Sequence, residues 1–279
     1  MSTKKELDIM AYKIRRDALT GIYSAKSGHP GGSLSIAEIM AVLYFDEMNV
    51  DAKNPKKADR DRFVLSKGHC APALYATLAH KGFFPVEDMT TLRQIDSYLQ
   101  GHPDMKKVPG VDMSTGSLGQ GISAAGGMAK AAKLDNASYR VYTVLGDGEL
   151  EEGQVWEAAM FAAHNKLDNL TAFIDLNLLQ IDGDVRQVMN PTPVDKKFEA
   201  FGWNVLVIDG HNVDEIKDAI AKAKQVKDKP TAVICNSVKG KGVSFMENQA
   251  GWHGNAPNEE QYNTAIAEID AKIKELEEM

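Results

Sequence analysis

Apolar residues recur along this chain with two periods, and the places where one gives way to the other mark its elements. From Lys4 to Lys26, Leu7, Met10, Ile14, Ala18 and Ile22 fall three or four positions apart, which predicts an amphipathic helix. Ser27 to Gly32 is too glycine-rich to continue it and reads as a loop presenting His29, after which Ser35-Ile36-Ala37-Glu38 offers a capping box for a helix to about Met48. A charged linker, 51–61, leads to a short strand, Arg62 to Ser66, and Lys67-Gly68-His69 turns the chain into another helix. A further helical region precedes Gly101, and 104–113 reads as loop. Thr115 to Lys133 is so rich in glycine and alanine that it predicts a helix packed closely against another backbone, as at a subunit interface.

From Tyr139 the pattern becomes regular. Tyr139 to Leu145, Leu170 to Leu176, Trp203 to Ile208 and Thr231 to Ser237 are β-branched apolar runs, separated by helical segments at Val155 to His164, Val194 to Phe201 and Val213 to Gln225. Near-continuous apolar strands alternating with helices predict an α/β fold, a parallel sheet with helices on both faces. Asn177 to Pro193 and the basic, glycine-rich stretch from Lys239 to Gly254 read as loops, and Asn258 to Met279 as a charged helix. No repeat or internal boundary interrupts residues 1–279, so one domain is expected.

Composition narrows the partners. With 43% hydrophobic and 25% charged residues, a net charge of −7 and a pI near 5.6, the chain is an ordinary globular one, and neither nucleic acid nor an anionic membrane suits it as a main partner. It has no apolar run of membrane-spanning length, and its N-terminus lacks the apolar core of a signal peptide, so the cytoplasm is the expected location. The two cysteines, Cys70 and Cys235, have neither metal-site spacing nor a disulfide framework and read as buried thiols.

The candidate chemistry centres on Gly146-Asp147-Gly148-Glu149-Leu150-Glu151-Glu152-Gly153, where a strand gives way to a helix. Backbone N–H groups and the helix dipole converge at such a turn, and glycine lets a diphosphate approach. The Asp147 carboxylate would repel phosphate unless a divalent cation stood between them. Asn177 follows the next strand, thirty positions later (177 minus 147). If the strands are parallel neighbours, Asp147, the Asn177 amide oxygen and a backbone carbonyl near Leu179 make an oxygen half-shell for Mg²⁺, or for Ca²⁺ with looser geometry. Of seven histidines, His80, His164 and His211 read as structural or solvated, whereas His29, His69, His102 and His253 are flanked by glycine or proline on loops, where a ring can face a pocket. Glu149 and Glu151 read as solvated.

GDG followed about thirty residues later by asparagine resembles the thiamine diphosphate enzymes. Within them the chain resembles the transketolases, through Ser27-Gly28-His29-Pro30-Gly31-Gly32, Ser66-Lys67-Gly68-His69, Gly101-His102-Pro103, Thr115-Gly116-Ser117-Leu118-Gly119-Gln120-Gly121, GDGELEEG and Trp252-His253-Gly254, in that order over nearly the whole chain. The resemblance implies thiamine diphosphate as cofactor, with Mg²⁺ held by Asp147, Asn177 and Leu179 and replaceable by Ca²⁺ or Mn²⁺. It implies that His69 and His253 help hold the diphosphate, that His29 and His253 border the reacting sugar hydroxyls, and that His102 meets the donor's terminal hydroxyl. By the same resemblance Gly116, Ser117, Leu118 and Gly148 line the cofactor and Ile181 packs against it, while Glu152 sits at the subunit interface and couples to a partner's catalytic glutamate. Lys241 reads equally as a phosphate contact or a solvated lysine.

The implied reaction is transfer of a two-carbon ketol group from a ketose phosphate to an aldose phosphate, as in the pentose phosphate route or in specialised sugar catabolism. In transketolases the pyrimidine pocket and catalytic glutamate lie in later domains. The chain is therefore either a fragment or the N-terminal subunit of a split transketolase, and its initiating methionine and helical C-terminus favour the latter. Such a subunit is expected to be inactive alone and to form a two-plus-two heterotetramer with a separate C-terminal subunit. Rival readings are a subunit of a deoxyxylulose-phosphate synthase or of a pyruvate-dehydrogenase-type enzyme, a non-catalytic regulatory subunit, and a metal-dependent phosphohydrolase, for which clustered carboxylates are too few.

Overall fold

Five parallel strands form the centre of the computed structural model, which describes residues 2–279. In chain order the strands are β1 (Arg62–Leu65), β2 (Val141–Gly146), β3 (Leu170–Leu176), β4 (Leu179–Gln180), β5 (Gly183–Asp184), β6 (Asn204–Asp209) and β7 (Thr231–Asn236). The main sheet runs β1-β2-β3-β7-β6, and β4 and β5 form a separate antiparallel ribbon. As the thirty-residue spacing required, β2 and β3 are parallel neighbours, with Gly146 opposite Asp175, and the helix Gly153–His164 connects them.

Period-two alternation explains why both faces are covered. Tyr142 and Val144 of β2, Phe173 of β3 and Val233 of β7 face one apolar cluster, packed by the helices Lys4–Ala25, Ala37–Val42, Ala71–Lys81 and Val213–Gln225. Their neighbours Leu145, Ala172, Ile174 and Ile234 face a second cluster, packed by Gln120–Leu134, Gly153–His164 and Val194–Ala200. Since strand side chains alternate in direction, a strand apolar at every position can sit only between two such layers. The C-terminal helix Glu259–Glu278 packs Ala265, Ile269 and Ile273 against Leu19 of the first helix and Val243 and Met246 of the 240s loop.

The structure departs from the sequence pattern in three places. No capping box forms at Ser35: the helix begins at Ala37 without a side-chain cap, the Ser35 hydroxyl donates to Asp175 Oδ2 at 2.6 Å, and Glu38 pairs with the buried Arg15 at 2.6 Å. The loop expected over Ser27 to Gly32 gives way at Pro30 to a helical turn, Pro30–Leu34, for which proline at the first position is preorganised. The region before Gly101 carries only short 3₁₀ turns at Val86–Thr91. The close approach foreseen for the glycine-rich helix is made within the chain, where a Cβ on Gly121 would lie 2.5 Å from Ser66 Cα.

Candidate functional site

Because the strands are parallel, the ends of β1, β2, β3 and β7, four adjacent strands, all emerge at one edge of the sheet. The segments they feed, Ser66–His69, Asp147–Glu152, Asn177–Ile181 and Ser237–Lys239, surround a cavity of about 600 Å³. The loop through His253 closes its side. Ligand crevices in open α/β sheets form at this edge.

Oxygen atoms gather at the floor. Asp147 Oδ1 accepts from the Gly148 N–H at 2.8 Å and Oδ2 from the Leu178 N–H, while Asn177 Oδ1 accepts from the Leu179 N–H at 3.1 Å. Leu178 has φ of 62°, a conformation unusual for leucine, which turns the chain sharply between Asn177 and Leu179. Burial, and then the charge of Asp175, push the Asp147 carboxyl up to about 6. A cation at this carboxylate would favour its ionised form against that burial. The Leu179 carbonyl already meets a positive charge, since it accepts from the Lys239 ammonium at 2.9 Å. A hard oxygen donor set that attracts a cation fits Mg²⁺ and disfavours a softer transition metal.

Three imidazoles form the wall. The rings of His29, His69 and His253 lie 5.0 to 5.5 Å apart, and His253 Nδ1 is 3.0 Å from Lys239 Nζ. Burial, followed by the charge of Arg93, lowers His29 to about 4, and burial, followed by Lys239, lowers His253 to about 3. His69 is depressed by burial and then Lys67. All three rings are therefore neutral near pH 7. Nδ1 of His29 is buried without a hydrogen-bond partner among the described residues.

Buried charged groups that the sequence did not assign to the site also border the cavity. Lys67 and Asp175 form a buried ion pair, and Lys67 Nζ also donates to Gly32 O at 2.9 Å. Burial opposes both charges, but each partner holds the other ionised, Lys67 above and Asp175 below its ordinary range. Glu149 corrects an expectation: it is not solvated but 2% exposed, accepting from the Ser66 hydroxyl, the Gly119 N–H at 2.9 Å and the Gly146 N–H at 3.0 Å. Burial raises its pKa. Glu151 is half-buried at the cavity edge rather than free in solvent.

Of the residues singled out from sequence, His69, Leu118, Asp147, Gly148, Glu152, Asn177, Leu179, Ile181 and His253 border this cavity. His29 joins them through its ring contacts, and Gly116, at φ 155°, lies against His102 and Gly68. Ser117 and His102 are exposed and do not border the cavity, and Glu152 is exposed at its rim. Lys241 is displaced from the role considered for it: it pairs with Glu247 at 3.4 Å and borders a different depression, while Lys239, two residues earlier, reaches the site. The Lys-Gly-Lys-Gly stretch carried the signal, and only the trace of the loop distinguishes its two lysines.

Comparison with known proteins gives this geometry a family. The sequence profile of the family described as "Transketolase, thiamine diphosphate binding domain" matches residues 7–271. The chain belongs to the transketolase family. It is 49% identical to the 6-deoxy-6-sulfo-D-fructose transketolase subunit SqwG of a Clostridium species, over 95% of this chain and 96% of that protein. It is 45% identical to an apulose-4-phosphate transketolase subunit of Phocaeicola vulgatus, over 97% and 96%. Transketolase of Homo sapiens is 44% identical over 95% of this chain but only 42% of its own length. Among solved structures, transketolase from Campylobacter jejuni superposes with a TM-score of 0.87 at 32% identity, over all of this chain and 48% of that one. The α/β transketolase domain that binds thiamine diphosphate is thus present, and the chain spans less than half of the longer relatives.

Proposed function

We propose that this chain is the N-terminal, diphosphate-binding subunit of a split transketolase. With a C-terminal partner subunit it transfers a two-carbon ketol group between sugars, using thiamine diphosphate and Mg²⁺. The observation that carries the reading is the set of oxygens from Asp147, Asn177 and Leu179 beside Lys239 and the neutral histidines, at the edge where four strands end. Two relatives named as subunits, each matched over 96% of its length, support a separate partner. On this reading residues 1–279 form one domain, and the assembly is a cytoplasmic two-plus-two heterotetramer.

Thiamine diphosphate, when bound, supplies the carbon nucleophile and electron sink for ketol transfer. Asp147, Asn177 and the Leu179 carbonyl hold the cation, and Lys239, His69 and the backbone at Gly116 and Gly148 face the diphosphate. His29 and His253, kept neutral by burial and nearby cations, accept and return protons at sugar hydroxyls. Glu152, exposed at the rim, meets the partner, and Ile181, which borders the cavity, packs against the cofactor.

A specialised sugar rather than a pentose phosphate is favoured as donor, because the two subunit relatives carry such names. The test is a ketol-transfer assay with the chain alone and with its partner, supplying 6-deoxy-6-sulfofructose, apulose 4-phosphate or xylulose 5-phosphate as donor. Activity confined to the mixture is expected. Robust activity of the chain alone would refute the split-subunit reading; if the mixture turns over no donor, cofactor binding would point to a different sugar pair and failure to bind it to a non-catalytic subunit.

A further inference from the structure

Asn177 poses a problem of orientation. An asparagine amide has two ends of nearly equal size, and only its oxygen ligates a hard cation. The buried Asp175, two residues earlier, resolves it. Its Oδ2 accepts from Asn177 Nδ2 at 3.1 Å, so the amide nitrogen is drawn inward and Oδ1 is left at the Leu179 N–H, on the cavity side. A carboxylate accepts and cannot donate, so this neighbour rejects the flipped amide. Asp175 borders the cavity, yet it is fully buried, and donors occupy its oxygens: Ser35 Oγ, Lys67 Nζ and Asn177 Nδ2 on Oδ2, Ser237 Oγ on Oδ1. A carboxylate has about four lone-pair sites. Three of the four donors crowd Oδ2, so the oxygen that meets the Asn177 amide is committed to protein neighbours.

We infer that Asp175 is a positioning residue, which fixes the Asn177 amide with its oxygen toward the cation site and joins that amide to Lys67, Ser35 and Ser237. The inference rests on the reading of Asp147 and Asn177 as cation ligands. It accounts for a charged pair placed where an apolar pair would cost less desolvation. The four donors come from the segments after the first helix, β1 and β7 as well as from Asn177, so one carboxylate ties these segments together beneath the floor.

The test measures Mn²⁺ affinity by electron paramagnetic resonance at saturating thiamine diphosphate, using the full chain with its partner subunit. Removing the carboxylate alone would strand Lys67, so both charges are removed together. In the Lys67→Met background, Asp175→Asn leaves an oxygen that still accepts from Asn177, whereas Asp175→Leu leaves none. Both variants lack the ion pair, so their difference reports the amide anchor. Loss of an outer hydrogen-bond partner of a metal ligand typically weakens binding about 10–100-fold. The Leu variant is expected to bind Mn²⁺ at least about tenfold more weakly than the Asn variant, with similar melting temperatures. Equal affinities would overturn the inference. Asp175→Val in the same background replaces the Leu variant if the latter does not fold. Asn177→Ala calibrates the site: if it binds Mn²⁺ as tightly as the wild type, the ligand assignment itself fails, a different result from equality of the two double variants.

Discussion

Removing the Glu149 carboxylate should loosen the cavity from behind. Glu149→Ala leaves the Gly119 and Gly146 N–H groups, now bonded at 2.9 and 3.0 Å, without an acceptor, and frees the Ser66 hydroxyl, which can rotate. A buried backbone donor left unpaired costs about 1–3 kcal/mol, so two cost roughly 2–6 kcal/mol. Part of this is returned, because a carboxylate that burial disfavours is no longer held in the interior; a net loss of about 2–4 kcal/mol is expected. For a chain of this size each kcal/mol lowers the melting temperature by about 2–4 °C, which predicts a fall of roughly 4–16 °C by circular dichroism. Glu149→Gln should fall between: its oxygen can serve Ser66 and Gly119, while its NH₂ faces the Gly146 donor, at a cost of about 1–3 kcal/mol. Gly119 caps the helix that follows the Gly116–Leu118 loop, so thiamine diphosphate affinity measured by calorimetry should fall in the same order. An Ala variant that melts within about 1 °C of wild type and binds the cofactor normally would refute the reasoning.

Gly68→Ala places a Cβ 2.7 Å from Gly116 N and 2.8 Å from the Thr115 carbonyl carbon, both backbone atoms. The two loops must separate, at about 1–3 kcal/mol, and thiamine diphosphate affinity should drop; a variant with wild-type melting and binding would show that they yield freely. Lys239→Ala should weaken cofactor binding by at least about tenfold while Lys241→Ala stays within about twofold, and the reverse order in calorimetry would restore Lys241 to the site. In the cofactor-free chain the His29 and His253 rings should give flat NMR shifts from pH 8 to 5, because their folded pKa values, about 4 and about 3, lie below the unfolded value. The unfolded chain then binds more protons between about pH 6.5 and those values, so these rings lower stability as pH falls through that window. Denaturant melts at pH 7 and 5 check the sign, and a midpoint near 6.5 for either ring would contradict its burial.

What was legible in the sequence is what repeats or is punctuated. Near-continuous apolar runs at Val141–Gly146 and Leu170–Leu176, with helical segments between them, sufficed for a doubly covered parallel sheet, and the glycines around Asp147 marked the strand end that bears an acid. The sequence read poorly wherever a long-range partner changed a residue's meaning. Glu149 looks like a solvated acid in a turn until Ser66 and Gly119, 83 and 30 positions away, close around it. Ser35 and Glu38 fit a local cap but are taken by Asp175 and Arg15. Lys239 and Lys241 are indistinguishable by type and context, and the two-residue choice between them is made by how the 240s loop lies on Gly31, whose carbonyl accepts from the Gly240 N–H at 3.0 Å.

The pairs that build the cavity floor are far apart along the chain: 108 positions separate Lys67 from Asp175 and 60 separate Leu179 from Lys239. Closing such loops is entropically uphill until many contacts form together, so the cavity is expected to be complete only when the sheet and the loops around it are all in place. No shorter stretch of the chain can display it. A ligand held there binds only the completed native state and lowers its free energy alone, so it should slow unfolding and leave the rate of folding nearly unchanged.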